Sequence, residues 1–309
     1  MNSRTIRIAT RQSPLALWQA NYVRDLLLKQ QPTLNIELLP MTTSGDKFLK
    51  DKLLAVGGKG LFVKELEEAL LDKRADFAVH SAKDMPAEFP AGLSLAAICT
   101  RDNPFDALVS QHYSSLDELP QHAVVGTGSL RRQSQLLAYR PDLDIKPLRG
   151  NINTRLSKLE SGEYHAIILA AAGLERMGFN HAIKEQLPAT IMLPACGQGA
   201  LAIECRTNDK EIWDLVARLN DPLSSVCVNT ERQVNALLGG NCHVPLAIFC
   251  APTQSNQLFL QAKILNHDGS TIIQNQQTGA VDAAKRLAND CVHSLLAQGA
   301  AALLASIPK

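Results

Sequence analysis

The chain has little net charge, no long apolar run and no paired cysteine spacing, and each lack removes a class of function. Its 309 residues carry a formal net charge of only +1, so no broad basic surface is available for a nucleic-acid backbone. No stretch reaches the length of a membrane span, and the opening Met-Asn-Ser-Arg-Thr-Ile-Arg-Ile runs into a strand without an apolar signal core. A cytoplasmic protein with no membrane partner is therefore expected. The seven cysteines (99, 196, 205, 227, 242, 250 and 291) are odd in number and scattered, with no Cys-x-x-Cys pair. That pattern suits reduced thiols and argues against both a disulfide framework and a structural zinc site. No internal repeat or low-complexity segment stands out. What remains, 46% hydrophobic and 20% charged residues, is globular material long enough for two or three domains.

Against that neutral background, arginines recur where strands end. The run Gly126-Thr-Gly-Ser-Leu-Arg-Arg132 follows the apolar Ala123-Val-Val125 and opens a helix predicted from Ser129 to Tyr139. Backbone N–H groups at such a turn, the positive end of the helix and two forked guanidiniums together make an anion site. A Ser-capped helix with two solvated arginines is the plainer reading of this run alone. The same chemistry returns, however, in Arg11-Gln-Ser13-Pro14, with Ser13 as N-cap and Pro14 at the first helical position. It returns again in Arg149-Gly-Asn151 with Arg155 one turn later, and in Arg176 beyond the strand 166–169. Carboxyl ends of strands are where open α/β sheets bind ligands, so a small polyanion is the expected partner.

The hydrophobic pattern alternates short β-branched strands with amphipathic helices from Thr5 to about Thr207, which predicts α/β layers. Strands are expected at 5–9, 36–41, 77–79, 93–98, 123–125, 145–148, 166–169 and 201–204. The stripes Leu15, Trp18, Tyr22, Leu26 and Phe62, Leu66, Ala69, Leu70 are expected to face the core, with Phe62 near enough to the Gly-rich 57–60 to reach a cleft. Thr100-Arg-Asp-Asn-Pro-Phe105 and Leu193-Pro-Ala-Cys-Gly-Gln-Gly199 read as crossings between two lobes. This gives lobe 1 as residues 1–100 with 197–219 and lobe 2 as 101–196. Residues 220–309, with a helix to Leu238, strands at 246–250, 258–265 and 271–274, and a helix from Val281, form a small α+β domain.

One polar cluster, His80-Ser-Ala-Lys-Asp-Met-Pro86, stands at the end of a strand. Lys83 and Asp84 could send one side chain to an anion and the other to a reacting centre, although a Lys-Asp pair is also an ordinary solvated turn. His80 reads as a packed histidine rather than a base. The Gly57-Gly-Lys-Gly60 segment lacks the Lys-Ser/Thr of a phosphate loop and reads as a lid. Near the C-terminus, Leu238-Gly-Gly-Asn-Cys-His-Val-Pro245 ends a helix at glycine and presents Cys242 in a tight turn. A buried inert thiol, a nucleophile or a covalent attachment point all remain open for it.

Taken together, these segments resemble the porphobilinogen deaminase (hydroxymethylbilane synthase) family over essentially the whole chain. The matching runs are Ala9–Ala16, Gly58–Phe62, His80–Pro86, Gly126–Arg132, Arg149–Arg155, Leu169–Arg176, Pro194–Gly199 and the turn bearing Cys242. The resemblance implies two lobes like those of periplasmic solute-binding proteins with a cleft, plus the third domain. It implies a dipyrromethane cofactor joined by a thioether to Cys242, no metal, and a monomer. Four porphobilinogen units would be joined head to tail with loss of ammonia to give hydroxymethylbilane. By family correspondence Ser81, Lys83, Thr127, Ser129, Arg131, Arg132 and Arg155 would hold the cofactor. Arg11, Arg149 and Arg176 would meet substrate, with Phe62, Ser13, Asn151 and Gln198 in support, and Asp84 would be catalytic. The family's usual Gly-Gly-Cys is here Gly240-Asn241-Cys242; asparagine tolerates the left-handed conformation best among non-glycine residues. The competing expectation is a two-lobed carboxylate-binding protein without catalysis.

Overall fold

In the computed structural model, which describes residues 4–47, 62–240 and 244–306, the chain divides into two compact units. The first comprises Met1–Arg101 and Ala200–Ser225, the second Asp102–Gly199 and Val226–Lys309. The Gly-rich 57–60 and the turn residues Asn241, Cys242 and His243 lie outside the described residues, so the lid and attachment-point expectations fall there too.

The first unit begins with β1 (Thr5–Arg11), α1 (Pro14–Gln30), β2 (Asn35–Met41) and the short α2 (Ser44–Lys47). It continues through α3 (Lys64–Leu71), β3 (Phe77–Ser81) and β4 (Leu93–Ile98). The second unit contributes β5 (Asp106–Val109), β6 (Val124–Gly126), α4 (Leu130–Tyr139), β7 (Asp144–Lys146), α5 (Ile152–Glu160), β8 (Ala166–Ala170), α6 (Ala171–Arg176) and β9 (Ile183–Leu187). The chain then returns to the first unit for β10 (Leu201–Arg206) and α7 (Lys210–Val216), and α8 (Pro222–Leu237) follows. It ends with β11 (Leu246–Pro252), β12 (Gln257–Leu265), β13 (Ile272–Ala280), α9 (Ala284–Ala297) and α10 (Ala300–Ser306).

The first unit's sheet has the order β2-β1-β3-β10-β4 and the second unit's has β7-β6-β8-β5-β9. In both, the fourth strand alone runs antiparallel to its neighbours. That strand is β10 in one and β5 in the other, each the first strand laid down after the chain changes unit. Two α/β lobes of the same plan are thus observed, and the antiparallel β11-β12-β13 sheet with its helices is the small α+β part.

Strand burial follows the two-residue alternation. Phe77 and Val79 of β3 pack with Ile203 and Cys205 of β10 and the α1 residues Ala20, Val23 and Leu27, while Ala78 packs with Leu66, Ala69 and Leu70 of α3. This corrects the α1 stripe: Ala16, Gln19, Ala20, Val23 and Leu27 are the buried positions. Tyr22 is 38% exposed and stacks on Trp18 along the helix flank. The helix is apolar over two adjacent rows, and the row with small alanines is the one that can lie close on the sheet. The α3 stripe at Leu66, Ala69 and Leu70 is buried as expected.

Two strands escaped the pattern. β5 is only four residues and opens on a charged aspartate, and β9 (Ile-Lys-Glu-Gln-Leu) is mostly polar. β13 also extends well beyond the expected 271–274, because Gln-Asn-Gln-Gln-Thr carries no apolar alternation to read.

Candidate active site

In the first unit the polar residues gather at the carboxyl ends of β1 and β3. Strand β3 ends at Ser81, whose hydroxyl accepts from Gln19 Nε2 of α1 at 2.9 Å. One 3₁₀ turn, Ala82–Asp84, follows. Ala82 and Met85 are buried, and the Ala82 amide donates to Ala200 O of the returning chain at 3.0 Å. With both ends of the turn pinned, Lys83 and Asp84 lie exposed on it. Arg11, the last residue of β1, places its guanidinium carbon 4.3 Å from the centroid of the Phe62 ring, a cation–π contact. Ser13 caps α1, accepting from the Ala16 amide at 3.3 Å, with Pro14 in the first turn.

In the second unit the cationic groups cluster around one carboxylate. Asp106, fully buried at the start of β5, accepts from Arg132 Nε at 3.0 Å and Nη2 at 2.7 Å on Oδ1. Its Oδ2 lies 2.8 Å from Arg131 Nη1. Arg131 also donates to Leu193 O at 2.7 Å and Arg132 to Ile168 O at 3.0 Å. Both arginines are almost wholly buried, at 5% and 6% exposure. Burial pushes the Arg131 guanidinium below the usual arginine value; the Asp106 charge opposes that shift and neighbouring Arg132 adds to it. The pair together with Asp106 thus presents about one net positive charge, not two.

Gln198 belongs to the same cluster. It is 1% exposed, and its side-chain amide donates to Pro104 O at 2.7 Å and to Asp106 Oδ1 at 3.1 Å. Thr127 is buried, and its hydroxyl accepts from the Ser129 amide at 3.2 Å. Ser129 stands at the N-cap of α4 without a side-chain capping bond. Asn151 does cap α5, accepting from the Thr154 amide at 2.9 Å. Arg149 and Arg155 are half-buried on either side of it, and Arg155 Nε donates to Gly150 O at 2.8 Å. Arg176 is bound to Asp102 Oδ2 through Nε at 3.0 Å and Nη2 at 2.8 Å, and to Gly199 O at 2.7 Å. It therefore ties together the two segments by which the chain enters and leaves this unit.

Each unit thus assembles its own share of the expected residues at strand ends. Sequence reasoning missed Asp106, and also Glu231 of α8, a fully buried carboxylate that accepts from the Gly197 amide at 2.6 Å and the Cys250 amide at 2.8 Å. The only sequence signal for Asp106 is its place one residue after Pro104-Phe105, where a crossing turns into a strand. Among the described residues no group of three or more His, Cys, Asp or Glu side chains is arranged to hold a metal ion, and no helix is long and apolar enough to cross a membrane.

The family model described as porphobilinogen deaminase, dipyromethane cofactor binding domain matches residues 6–214, and that of the porphobilinogen deaminase C-terminal domain matches 225–297. Curated proteins named porphobilinogen deaminase from Legionella pneumophila strains Lens and Paris are each 67% identical over 308 residues, covering all of both chains. Among solved structures, a periplasmic substrate-binding protein of an ABC transporter from Coxiella burnetii is 13% identical with a TM-score of 0.44, covering 74% of this chain and 95% of that one, a likeness too distant to bear weight. The full-length identity and the two family matches show that the chain belongs to the porphobilinogen deaminase family, transferases of tetrapyrrole biosynthesis.

Proposed function

We propose that the protein joins four porphobilinogen molecules head to tail onto a dipyrromethane held by a thioether to Cys242, with loss of ammonia at each addition, and that water then cleaves the bond between the dipyrromethane and the four added rings to release hydroxymethylbilane. The observation that carries this reading is the exposed Lys83–Asp84 turn, pinned at the end of β3; the second unit separately holds an arginine pair that keeps about one net positive charge beside Asp106. The turn would act on a reacting centre, and the surplus positive charge of the pair would favour carboxylates nearby.

The donor chemistry fits the group. Acetate and propionate side chains need guanidinium forks and backbone N–H groups, and Arg131, Arg132, Arg155, Lys83, Ser81, Thr127 and Ser129 would hold them. When bound, the dipyrromethane supplies the pyrrole carbon to which the first substrate is joined. Arg11, Arg149 and Arg176 would bind the acetate and propionate of incoming porphobilinogen, with Phe62, Ser13 and Asn151 shaping the surroundings. Gln198 would act through Asp106, since its amide is already spent there. Departure of ammonia leaves positive charge on the substrate pyrrole. The Asp84 carboxylate would accept its N–H, stabilise that charge and move a proton between leaving amine and attacked carbon.

Lobe 1 at 1–100 with 197–219, lobe 2 at 101–196 and a third domain at 220–309 complete this reading, for a cytoplasmic monomer without nucleic-acid or membrane partners. Intact-mass measurement tests it directly. The purified protein should carry the mass of one dipyrrole and gain successive pyrrole increments with porphobilinogen, and Cys242→Ser should abolish both. An unmodified mass in active protein would overturn the attachment.

A further inference from the structure

Three titratable side chains that take no part in this scheme are buried together in the first unit, each on a different element. His80 of β3 is 6% exposed, Glu204 of β10 is fully buried and Glu67 of α3 is 8% exposed. Imidazole Nε2 lies 3.1 Å from Glu204 Oε2. The Oε1 atoms of both Glu67 and Glu204 are buried without a hydrogen-bond partner. Burial pushes the Glu67 carboxyl up to about 7; the Glu204 charge adds to the shift and His80 opposes it.

Burying such groups costs stability, and the cluster sits where an apolar contact would pack without that cost. The best-attested return for a buried polar pair is register. Here register matters. The β3 and β10 side chains on the α1 side of the sheet are apolar in every case but Ser81, and those on the α3 side are Ala78, His80, Ala202, Glu204 and Arg206. A one-residue slip of β10 would present every side chain to the wrong face; His80 and Glu204 bond β3 to β10 side chain to side chain, while Arg206 ties the end of β10 to the carbonyls of Leu70 and Ala75. In the observed register, Leu201 pairs with Ser81 and Ala202 with His80. One step further, the same pairing brings Ala200 O to the Ala82 amide, the bond that opens the turn bearing Asp84.

We propose that His80 and Glu204, with Glu67 beside them, form a buried register lock between β3 and β10, and that His80 and Glu204 are positioning residues for Asp84. The proposal rests on the catalytic reading of Asp84 given above. The lock acts through the backbone: the side-chain pair fixes the strand alignment, the alignment fixes the Ala200–Ala82 bond, and that bond sets where the carboxylate stands. It touches no substrate, so its loss should be felt in the chemical step and not in binding.

The test compares wild type with His80→Gln, Glu204→Gln and the double variant. Each single change should lower kcat about tenfold to a hundredfold, the scale of a small misplacement of a reacting group. KM for porphobilinogen should stay within about twofold, and the double variant should be no worse than the poorer single one. A purely structural role would lower the melting temperature and leave kcat intact, so a folded His80→Gln enzyme with wild-type kcat overturns the proposal. Multiplying losses in the double variant would overturn the idea of one unit. In wild type, the imidazole Nε2–H of His80 should give a slowly exchanging proton resonance; its absence would overturn the lock without any variant having to fold. An inactive wild-type protein that shows this resonance would count against the proposed function alone.

Discussion

The two lobes share a strand order and differ in what they bury beneath it. Lobe 1 encloses three carboxyl groups (Glu67, Asp76 and Glu204), the Arg206 guanidinium and an imidazole, and leaves Lys83 and Asp84 exposed. Lobe 2 encloses two guanidiniums around one carboxylate and has little of them left exposed. In each, the buried charge is carried partly by the strand laid down after the chain changes lobe, Glu204 on β10 and Asp106 on β5. The contrast teaches that one topology can bury an excess of carboxyl groups in one lobe and of guanidiniums in the other.

Substitutions can break this comparison in order of size. Asp84→Ala should cost at least about a hundredfold in kcat, the scale of lost acid–base catalysis, while the urea midpoint stays near wild type because the side chain is exposed. Near-normal turnover would remove Asp84 from the chemistry. Asp106→Asn should do the reverse in kind. Removing the one carboxylate that faces Arg131 and Arg132 leaves buried positive charge uncompensated, at about 3–5 kcal/mol of unfolding free energy, readable by urea denaturation. A stable Asp106→Asn protein would show that the arginines find other partners.

The smallest effect sharpens the contrast through pH. Glu67 faces His80 from β3, Glu204 from β10 and Glu68 on its own helix, and its carboxyl is raised from 4.5 to about 7 in the folded protein. The folded state then holds this proton more tightly than the unfolded state. Its contribution to stability is complete below about 4.5 and is lost as pH rises to about 7. Glu67→Gln cannot titrate, so the melting temperature of wild type relative to this variant should fall across that window and level off above it. A constant difference would place the Glu67 proton elsewhere.

Much of the fold and of the candidate site is legible in the sequence. Arg11, Ser13, Lys83, Asp84, Arg131, Arg149 and Asn151 could be singled out because an anion site needs particular residue types at strand exits, and glycine, serine and proline mark those exits in one dimension. Asp106, Glu204 and Glu231 could not. A lone carboxylate in sequence reads as surface, and the partners that make burial tolerable are far along the chain: Arg132 is 26 positions from Asp106, and His80 is 124 from Glu204. Strands β5 and β9 were missed for a related reason, since their polar ends are satisfied only by neighbours in the finished sheet. The misjudged face of α1 shows the limit of periodicity itself, because Ala16 and Ala20 are weak hydrophobic signals in a list but the closest-fitting residues against a sheet.

Glu231 has a consequence for how the chain can be cut. Its carboxylate, carried on a helix late in sequence, receives amide protons from Gly197 on one side and Cys250 on the other. A shortened protein ending before α8 would lose more than its final 88 of 309 residues: the amide of Gly197 would lose its carboxylate acceptor, next to the glutamine that braces the arginine pair. Truncation should therefore loosen the Pro194–Gly199 strap, and a protease that ignores the intact protein should find a new cleavage site there.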